Sequence, residues 1–281
     1  SGAIDLELLS GTTYRATFPA LPCGESAAWY ITASLTTGQT RTIPGGAPSS
    51  TYDTLIANGT SVTFNDDAES DPGWNITGSA TDGQWNRGVP VDCGRCDPPS
   101  DADNSGQSWL TDNSSADGCN SDVDGGQTIL TSPQLDASNA TAIIEYSRWY
   151  SNGSGCTTAP QDDGFLIEVS DDNGSSWTTL ESLGALSGGW VDASFLVSDI
   201  AGISNTDQFR IRFIATDTGD GSVVEAGVDG IKISSIDCDK IPTCPGDING
   251  DSFVNVTDLL QVIARWSQAD PDTDIDGSGI V

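Results

Sequence analysis

The sequence predicts an all-β fold, and three observations predict it. Apolar residues make up 36% of the 281 residues and aromatics 7%, too hydrophobic for disorder, while 32 Gly, 13 Pro and many Ser, Thr, Asn and Asp favour turns. Apolar and polar residues alternate with period two in one short run after another, the pattern of a half-buried strand. Between residues 60 and 239 no apolar periodicity of helical length occurs. The length allows two or three domains, and the chain reads as segments 1–59, 60–239 and 244–281.

In the first segment, Ile4-Asp-Leu-Glu-Leu-Leu9, Tyr14-Arg-Ala-Thr-Phe18 and Trp29-Tyr-Ile-Thr-Ala33 alternate between Gly- and Pro-containing turns. The segment resembles the last part of an immunoglobulin- or fibronectin-III-like sandwich. That fold normally has about seven strands, so a partial domain is predicted, with strands missing at its front.

The second segment offers strands at Val62-Thr-Phe64, Thr128-Ile-Leu-Thr131, 142–150, Phe165-Leu-Ile-Glu-Val169, 209–214 and Gly230-Ile-Lys-Ile233. The run Phe64-Asn-Asp-Asp-Ala-Glu-Ser-Asp-Pro-Gly-Trp74, the later Asp122-Val-Asp-Gly-Gly126 with Leu130-Thr-Ser-Pro133, and the closing Val228-Asp-Gly-Ile231 resemble a MAM-like jelly roll. Such modules sit behind the catalytic domains of secreted bacterial peptidases, zinc carboxypeptidases among them. The resemblance implies a calcium ion joining the acidic turn of the first strand to the last strand, with Asp66, Glu69 and Asp229 as its ligands. One hairpin, Ser170-Asp-Asp172-Asn-Gly174-Ser-Ser-Trp177, matches the Asp-box pattern of sialidases. Asp172 is expected to bond the turn backbone, Gly174 to supply φ > 0, and Trp177 to pack under the hairpin. A single copy is a folding device rather than an active site.

The third segment carries the sharpest chemistry. Asp247, Asn249, Asp251, Asn255 and Asp258 place side-chain oxygens at loop positions one, three, five, nine and twelve, and the Phe253 carbonyl stands at seven. That spacing suits Ca²⁺ in roughly pentagonal-bipyramidal geometry. Leu259, Leu260, Ile263 and Trp266 follow at helical spacing and predict one buried face. An Asp at position twelve, a single following helix and the opening Cys244-Pro-Gly-Asp-Ile-Asn-Gly-Asp resemble a type I dockerin repeat. Asp274, Asp276, Ser278 and the Ile280 carbonyl begin a second repeat that stops at position eight.

Composition narrows the function. A net charge of −31, with 34 Asp against 7 Glu and only 10 Lys and Arg, repels nucleic acid and anionic membranes. Asp in this excess suits turns and oxygen-ligand loops for hard cations. The absence of histidine removes the usual general base, the Ser-His and Cys-His pairs and most catalytic zinc sites. No catalytic residue is nominated. No apolar run is long enough to span a membrane, and the lack of any methionine implies that Ser1 follows a cut.

Cys23, Cys93, Cys96, Cys119, Cys156, Cys238 and Cys244 lie mostly in polar loops, which suits disulfides in an oxidising compartment. Cys93-Gly-Arg-Cys96 reads as a structural staple, and the odd count leaves one thiol free or partnered outside the chain. Seven Asn-x-Ser/Thr sequons, at Asn58, Asn75, Asn113, Asn139, Asn152, Asn173 and Asn255, exceed the roughly three expected by chance and mark glycan candidates, Asn152 and Asn173 first.

The sequence therefore predicts a non-catalytic, Ca²⁺-binding adhesion or structural module, extracellular or on the cell surface. Its partners are expected to be copies of itself or another extracellular protein. The incomplete first domain and final calcium loop suggest a filament in which neighbouring copies supply what is missing. Two alternatives are the accessory region of a secreted hydrolase and a carbohydrate-binding module that uses exposed Trp85, Trp109 or Trp190.

Overall fold

The computed structural model describes residues 2–35, 37–114, 122–153, 155–156, 162–218, 222–238, 246, 248–249 and 254–268. Asp247, Asp251, Phe253, Asp274, Asp276, Ser278, Ile280, Cys119 and Cys244 lie outside the described residues. The chain divides into two compact units, one of residues 1–59 with 236–281 and one of residues 60–235.

Residues 2–59 carry six short strands: β1 Glu7–Ser10, β2 Thr13–Arg15, β3 Ser26–Trp29, β4 Ile31–Ser34, β5 Thr40–Ile43 and β6 Tyr52–Leu55. They pair antiparallel as β1 with β2, β3 with β6 and β4 with β5, three ribbons of two strands each. Leu8, Leu9, Tyr14, Phe18 and Tyr52 are exposed, and no described residue of 2–59 belongs to the buried core. A disulfide joins Cys23 to Cys238, and Asn58 Nδ2 donates to the Cys238 carbonyl at 2.8 Å.

The second unit is a two-sheet sandwich of the jelly-roll kind. Its strands are β7 Gly59–Asp66, β8 Asn75–Gly78, β9 Trp85–Gly88, β10 Ser108–Thr111, β11 Gly126–Thr131, β12 Ala142–Ser151, β13 Gly164–Ser170, β14 Thr178–Leu183, β15 Val191–Leu196, β16 Arg210–Asp217 and β17 Glu225–Asp237. One sheet runs β15-β12-β17-β10-β9, with β7 also paired to β17; the other runs β14-β13-β16-β11-β8. Period-two patterning decides which residues face inward. Ile144 and Tyr146 of β12, Phe165, Ile167 and Val169 of β13, and Ile211, Phe213 and Ala215 of β16 are buried in one core. Tyr146 meets Phe213 edge-on at 5.4 Å between ring centroids, and Tyr150 stacks on Phe165 at 5.5 Å. Those contacts weld the two sheets.

The all-β expectation holds, with one helix, α1 Val256–Ala264, among the described residues. The face of α1 departs from expectation. Leu259, Leu260, Ile263 and Trp266 are 54–68% exposed, so the predicted apolar face exists as a pattern but is not buried. The pattern shows only that a helix could bury a face, and no described residue covers this one.

Candidate metal centre

The site grows from an irregularity in β17. Glu145 of β12 faces Lys232, but Ser147 faces Asp229, so β17 carries one residue more than β12 across this stretch. The core-facing positions shift accordingly, from Ala226 and Val228 before the irregularity to Ile231 and Ile233 after it. This is a β-bulge, and Gly230 at φ +57° supplies the left-handed conformation that a bulge of this kind asks of glycine. Asp229, on the face away from the core, is fully buried all the same.

The segment after Cys93 covers it. Trp149 Nε1 donates to the Cys96 carbonyl at 2.9 Å and Trp190 Nε1 to the Ser100 carbonyl at 2.8 Å, their rings crossing edge-on. The Cys96–Cys156 disulfide adds a covalent anchor, and closing a loop across 60 residues stabilises by about 4 kcal/mol on a chain-entropy account. Cys93 is also disulfide-bonded. The Cys93/Cys96 motif is thus a structural staple, as its sequence context predicts, with Cys96 bonded outside the motif.

Held there, the 101–107 loop meets β17. The Ala102 N–H donates to Asp229 Oδ2 at 2.9 Å, and the Gly230 N–H to Asp229 Oδ1 at 2.8 Å. The Gly106 N–H caps Asp101 Oδ2 and the Ser105 N–H caps Asp103 Oδ1. One carboxylate oxygen from each of Asp101, Asp103 and Asp229 then lies within 4.8 Å of the others. Two oxygens on one Ca²⁺, each 2.3–2.6 Å from it, can be no more than about 5 Å apart, so the three fit a single ion. Among the described residues no Lys or Arg pairs with them. Burial pushes the Asp229 carboxyl up to about 6; the Ala102 N–H opposes the shift and Asp103 and Asp101 add to it. The arrangement is an all-oxygen cradle for a hard cation.

Of the ligands expected here, the structure brings Asp229 into the group and leaves Asp66 and Glu69 outside it. Glu69 accepts from the Gln107 N–H at 2.7 Å and from Gln107 Nε2 at 3.1 Å, bracing the loop that carries Asp101 and Asp103. Asp66 is buried and spent on structure: Trp74 Nε1 donates to Oδ2 at 2.6 Å and the Ala68 N–H to Oδ1 at 3.0 Å. Asp101 and Asp103 are the members of this carboxylate group that sequence reasoning missed. Asp101-Ala-Asp103-Asn-Ser-Gly106 shows the same alternation of oxygen-bearing residues as the tail loop, a signal sufficient to find them.

In the tail, Asn249, Asn255 and Asp258 are described. Asn255 is the N-cap of α1, accepting from the Thr257 N–H, and Asp258 completes a capping box. Asp258 accepts the N–H groups of Asn255, Ile248 and Asn249 at 2.8, 2.9 and 3.2 Å, which hold its carboxyl below the usual range. Loop and helix are therefore tied through one carboxylate.

Other expectations resolve on burial. Trp85 and Trp109 are 2–3% exposed, so they are core fillers and not a sugar platform; Trp190 is half-buried against Ser100. Asn152, expected in an exposed loop, is fully buried, with Nδ2 donating to Ser222 Oγ at 2.8 Å, a position that excludes a glycan from the folded chain. Asn58, Asn75, Asn139, Asn173 and Asn255 are exposed, and Asn113 is half-buried and bonded to Val89 and Val91. The Asp-box hairpin takes its expected form. Asp172 accepts from the Ser176 N–H and hydroxyl, Gly174 stands at φ +88°, and Trp177 donates to the Gly174 carbonyl beneath Arg212.

No protein-family model and no curated protein matches the chain. Among solved structures, the K3 cleaved adhesin domain of Lys-gingipain from Porphyromonas gingivalis W83 aligns over 63% of this chain and 99% of its own, at TM-score 0.41 and 12% identity. The CBM22-1 xylan-binding domain of Paenibacillus barcinonensis Xyn10C aligns over 64% and 98%, at TM-score 0.36 and 14% identity.

Proposed function

We propose that the chain is a non-catalytic extracellular module, folded and stiffened by Ca²⁺, that binds or scaffolds rather than transforms its partner. The observation that carries this reading is the convergence of Asp101, Asp103 and Asp229 within 4.8 Å, with no cationic side chain among the described residues to neutralise them. Ca²⁺ there would tie the 101–107 loop to β17, and the tail loop at Asp247, Asn249, Asp251, Phe253, Asn255 and Asp258, with its resemblance to a dockerin repeat, supplies a second such clasp. The disulfides support an oxidising, extracellular setting. The same role serves a free-standing module or the accessory region of a secreted hydrolase.

The test is thermal unfolding of the whole chain in EDTA and in Ca²⁺. With the ion at about a hundred times its Kd, binding stabilises by about 2.7 kcal/mol. Asp101→Asn with Asp103→Asn should reduce the shift in the sandwich transition. Identical melting curves in EDTA and Ca²⁺ would sink the reading.

Self-association is a second reading with its own support. Isolated two-stranded ribbons are marginal in water, and those of residues 2–59 leave Leu8, Leu9, Tyr14, Phe18 and Tyr52 exposed. A neighbouring copy that covers them would make filaments, and Ca²⁺ would relieve the repulsion of a −31 chain. Light scattering decides it: monomers at every concentration, with and without Ca²⁺, exclude it.

A further inference from the structure

The sandwich interior does not end in apolar residues. Period two carries the inward face of β16 from Ile211, Phe213 and Ala215 to Asp217, and that of β13 back from Phe165 to Asp163. Before β11 the chain turns at Gly125, φ +65°, and sets Asp122 and Asp124 on either side of the core residue Val123, while Gly126 pairs directly with Asp217. On β12 the inward face ends in Tyr150 and, just past the strand, Asn152. Asp163 and Asp217 thus occupy positions where the core would continue, and Asp122 and Asp124 reach the same end of the sandwich from the turn before β11.

They converge. One oxygen from each of Asp122, Asp124 and Asp217 lies within 4.8 Å of the others, and Asp122 and Asp217 are 4% and 2% exposed. Asp163 stands beside them, accepting from the Thr218 N–H at 2.9 Å and the Ser222 hydroxyl at 2.8 Å. The Ser222 N–H reaches Asp217 Oδ2 at 3.4 Å, and the Val224 N–H caps Asp122 Oδ2 at 3.0 Å. The cationic partner among the described residues is Arg95, 2.9 Å from Asp122 Oδ1, which leaves most of the charge unbalanced.

A separate observation points to a missing occupant. The Tyr150 hydroxyl and Asn152 Oδ1 are buried with no hydrogen-bond partner among the described residues, on side chains 1% and 0% exposed. Asp163 and Asp217 are the charges that act on Tyr150, and the Asn152 amide is one hydroxyl, that of Ser222, away from Asp163. A buried polar atom left unpaired is costly, so two of them beside one acidic pit mark a place where something polar binds.

We propose that this pit is a second cation site of the sandwich, which takes Ca²⁺ on Asp122, Asp124 and Asp217, with Asp163 and Asn152 lining it. All the donors are hard oxygens and none is nitrogen or sulfur, the donor set of Ca²⁺ rather than of zinc or copper. The site is distinct from that of Asp101, Asp103 and Asp229, with which it shares no residue. Bound there, the ion would clamp the starts of β11 and β13 to the end of β16 and close the open end of the core.

The test counts ions. Full-length protein stripped with EDTA and titrated with Ca²⁺ by calorimetry should lose one bound Ca²⁺ per chain in Asp124→Asn/Asp217→Asn, while Asp101→Asn/Asp103→Asn loses a different one and the fourfold variant loses two. Unchanged stoichiometry in the folded Asp124→Asn/Asp217→Asn variant overturns the proposal, and leaves Arg95 as the structural counter-charge; it says nothing against the first site. Should that variant fail to fold, wild-type crystals soaked in Sr²⁺ decide the matter. An anomalous peak among Asp122, Asp124 and Asp217 upholds the site, and its absence beside a filled first site overturns it.

Discussion

Gly230 donates its N–H to the carboxylate of Asp229, its own neighbour, at 2.8 Å from a backbone with φ +57°. The bulge and the buried carboxylate are thus one device, since the conformation that only glycine adopts cheaply also brings the Gly230 N–H onto the acid. No atom crowds the place where a Cβ would stand, so alanine there would suffer backbone strain and nothing else. Gly230→Ala should cost about 1–2 kcal/mol in EDTA, the penalty of a left-handed L-residue. It should also lower Ca²⁺ affinity. Urea unfolding with and without Ca²⁺ checks both, and an unchanged midpoint would show that the bulge does not hold Asp229.

Trp74 and Asp66 make a second testable pair. The Trp74 ring packs near Trp109 and Phe213, at 6.0 and 6.2 Å between centroids, while its N–H satisfies a buried carboxylate whose pKa burial has raised. Trp74→Phe keeps much of the ring contact and removes the donor. The expected loss is about 1–3 kcal/mol, the cost of an unsatisfied buried acceptor. Asp66→Asn in the same background should recover part of it, because the acid no longer needs a donor of that strength. No recovery would place the cost in packing.

These pairs show what the sequence makes legible. The strands β12, β13 and β16 are readable because alternation marks a half-buried strand, whereas only residues 230–233 of the thirteen-residue β17 are, its bulge breaking the period. Asn75–Gly78, Trp85–Gly88 and Ser108–Thr111 are not, since four-residue runs with a single large apolar side chain, or with two adjacent ones as at Trp109-Leu110, carry no period. Asp229 is expected only through the resemblance to a MAM-like jelly roll, which implies an acidic group on the last strand. Asp101 and Asp103 carry a legible alternation of oxygen-bearing residues, but their meeting with Asp229 is not legible, because it depends on Trp149, Trp190 and Cys156 anchoring the 93–107 segment through contacts that span 53 to 90 residues of sequence. Burial of Asn152 was equally hidden: a Gly/Ser neighbourhood reads as an exposed loop, and only its partner Ser222 shows otherwise.

Asp172 gives a prediction in pH. Hydrogen bonds from the Ser176 hydroxyl and N–H, and from Ser170, draw its carboxyl down from 3.8 to about 2. A depressed acid stabilises the fold above its unfolded pKa, and that contribution is lost as pH falls through the folded value. Asp172→Asn should therefore be less stable than wild type at pH 6. The gap should narrow below about pH 4 and all but close near pH 2. Thermal midpoints of both proteins across that range measure it; a gap independent of pH would mean that the hairpin depends on the shape of the side chain and not on its charge.

The tail offers the last test, because one side chain there serves two structures. Asp258 caps the first turn of α1 through the Asn255 N–H and gathers the loop through the Ile248 and Asn249 N–H groups. A helix of nine residues is marginal in water on its own, and the apolar side of α1 is exposed, so packing contributes little. Capping and the loop contacts must then carry most of its stability in the absence of Ca²⁺. Asp258→Ala in EDTA should bring the amides of residues 259–264 close to the exchange rate of an unprotected chain, and added Ca²⁺ should not restore protection, since the variant also lacks the ligand at loop position twelve. Asp258→Asn should keep part of the protection in EDTA, as its amide oxygen still accepts, yet gain less from Ca²⁺ than wild type. Hydrogen–deuterium exchange read by mass spectrometry separates these outcomes. Full protection of α1 in Asp258→Ala without Ca²⁺ would mean that something other than this carboxylate holds the helix.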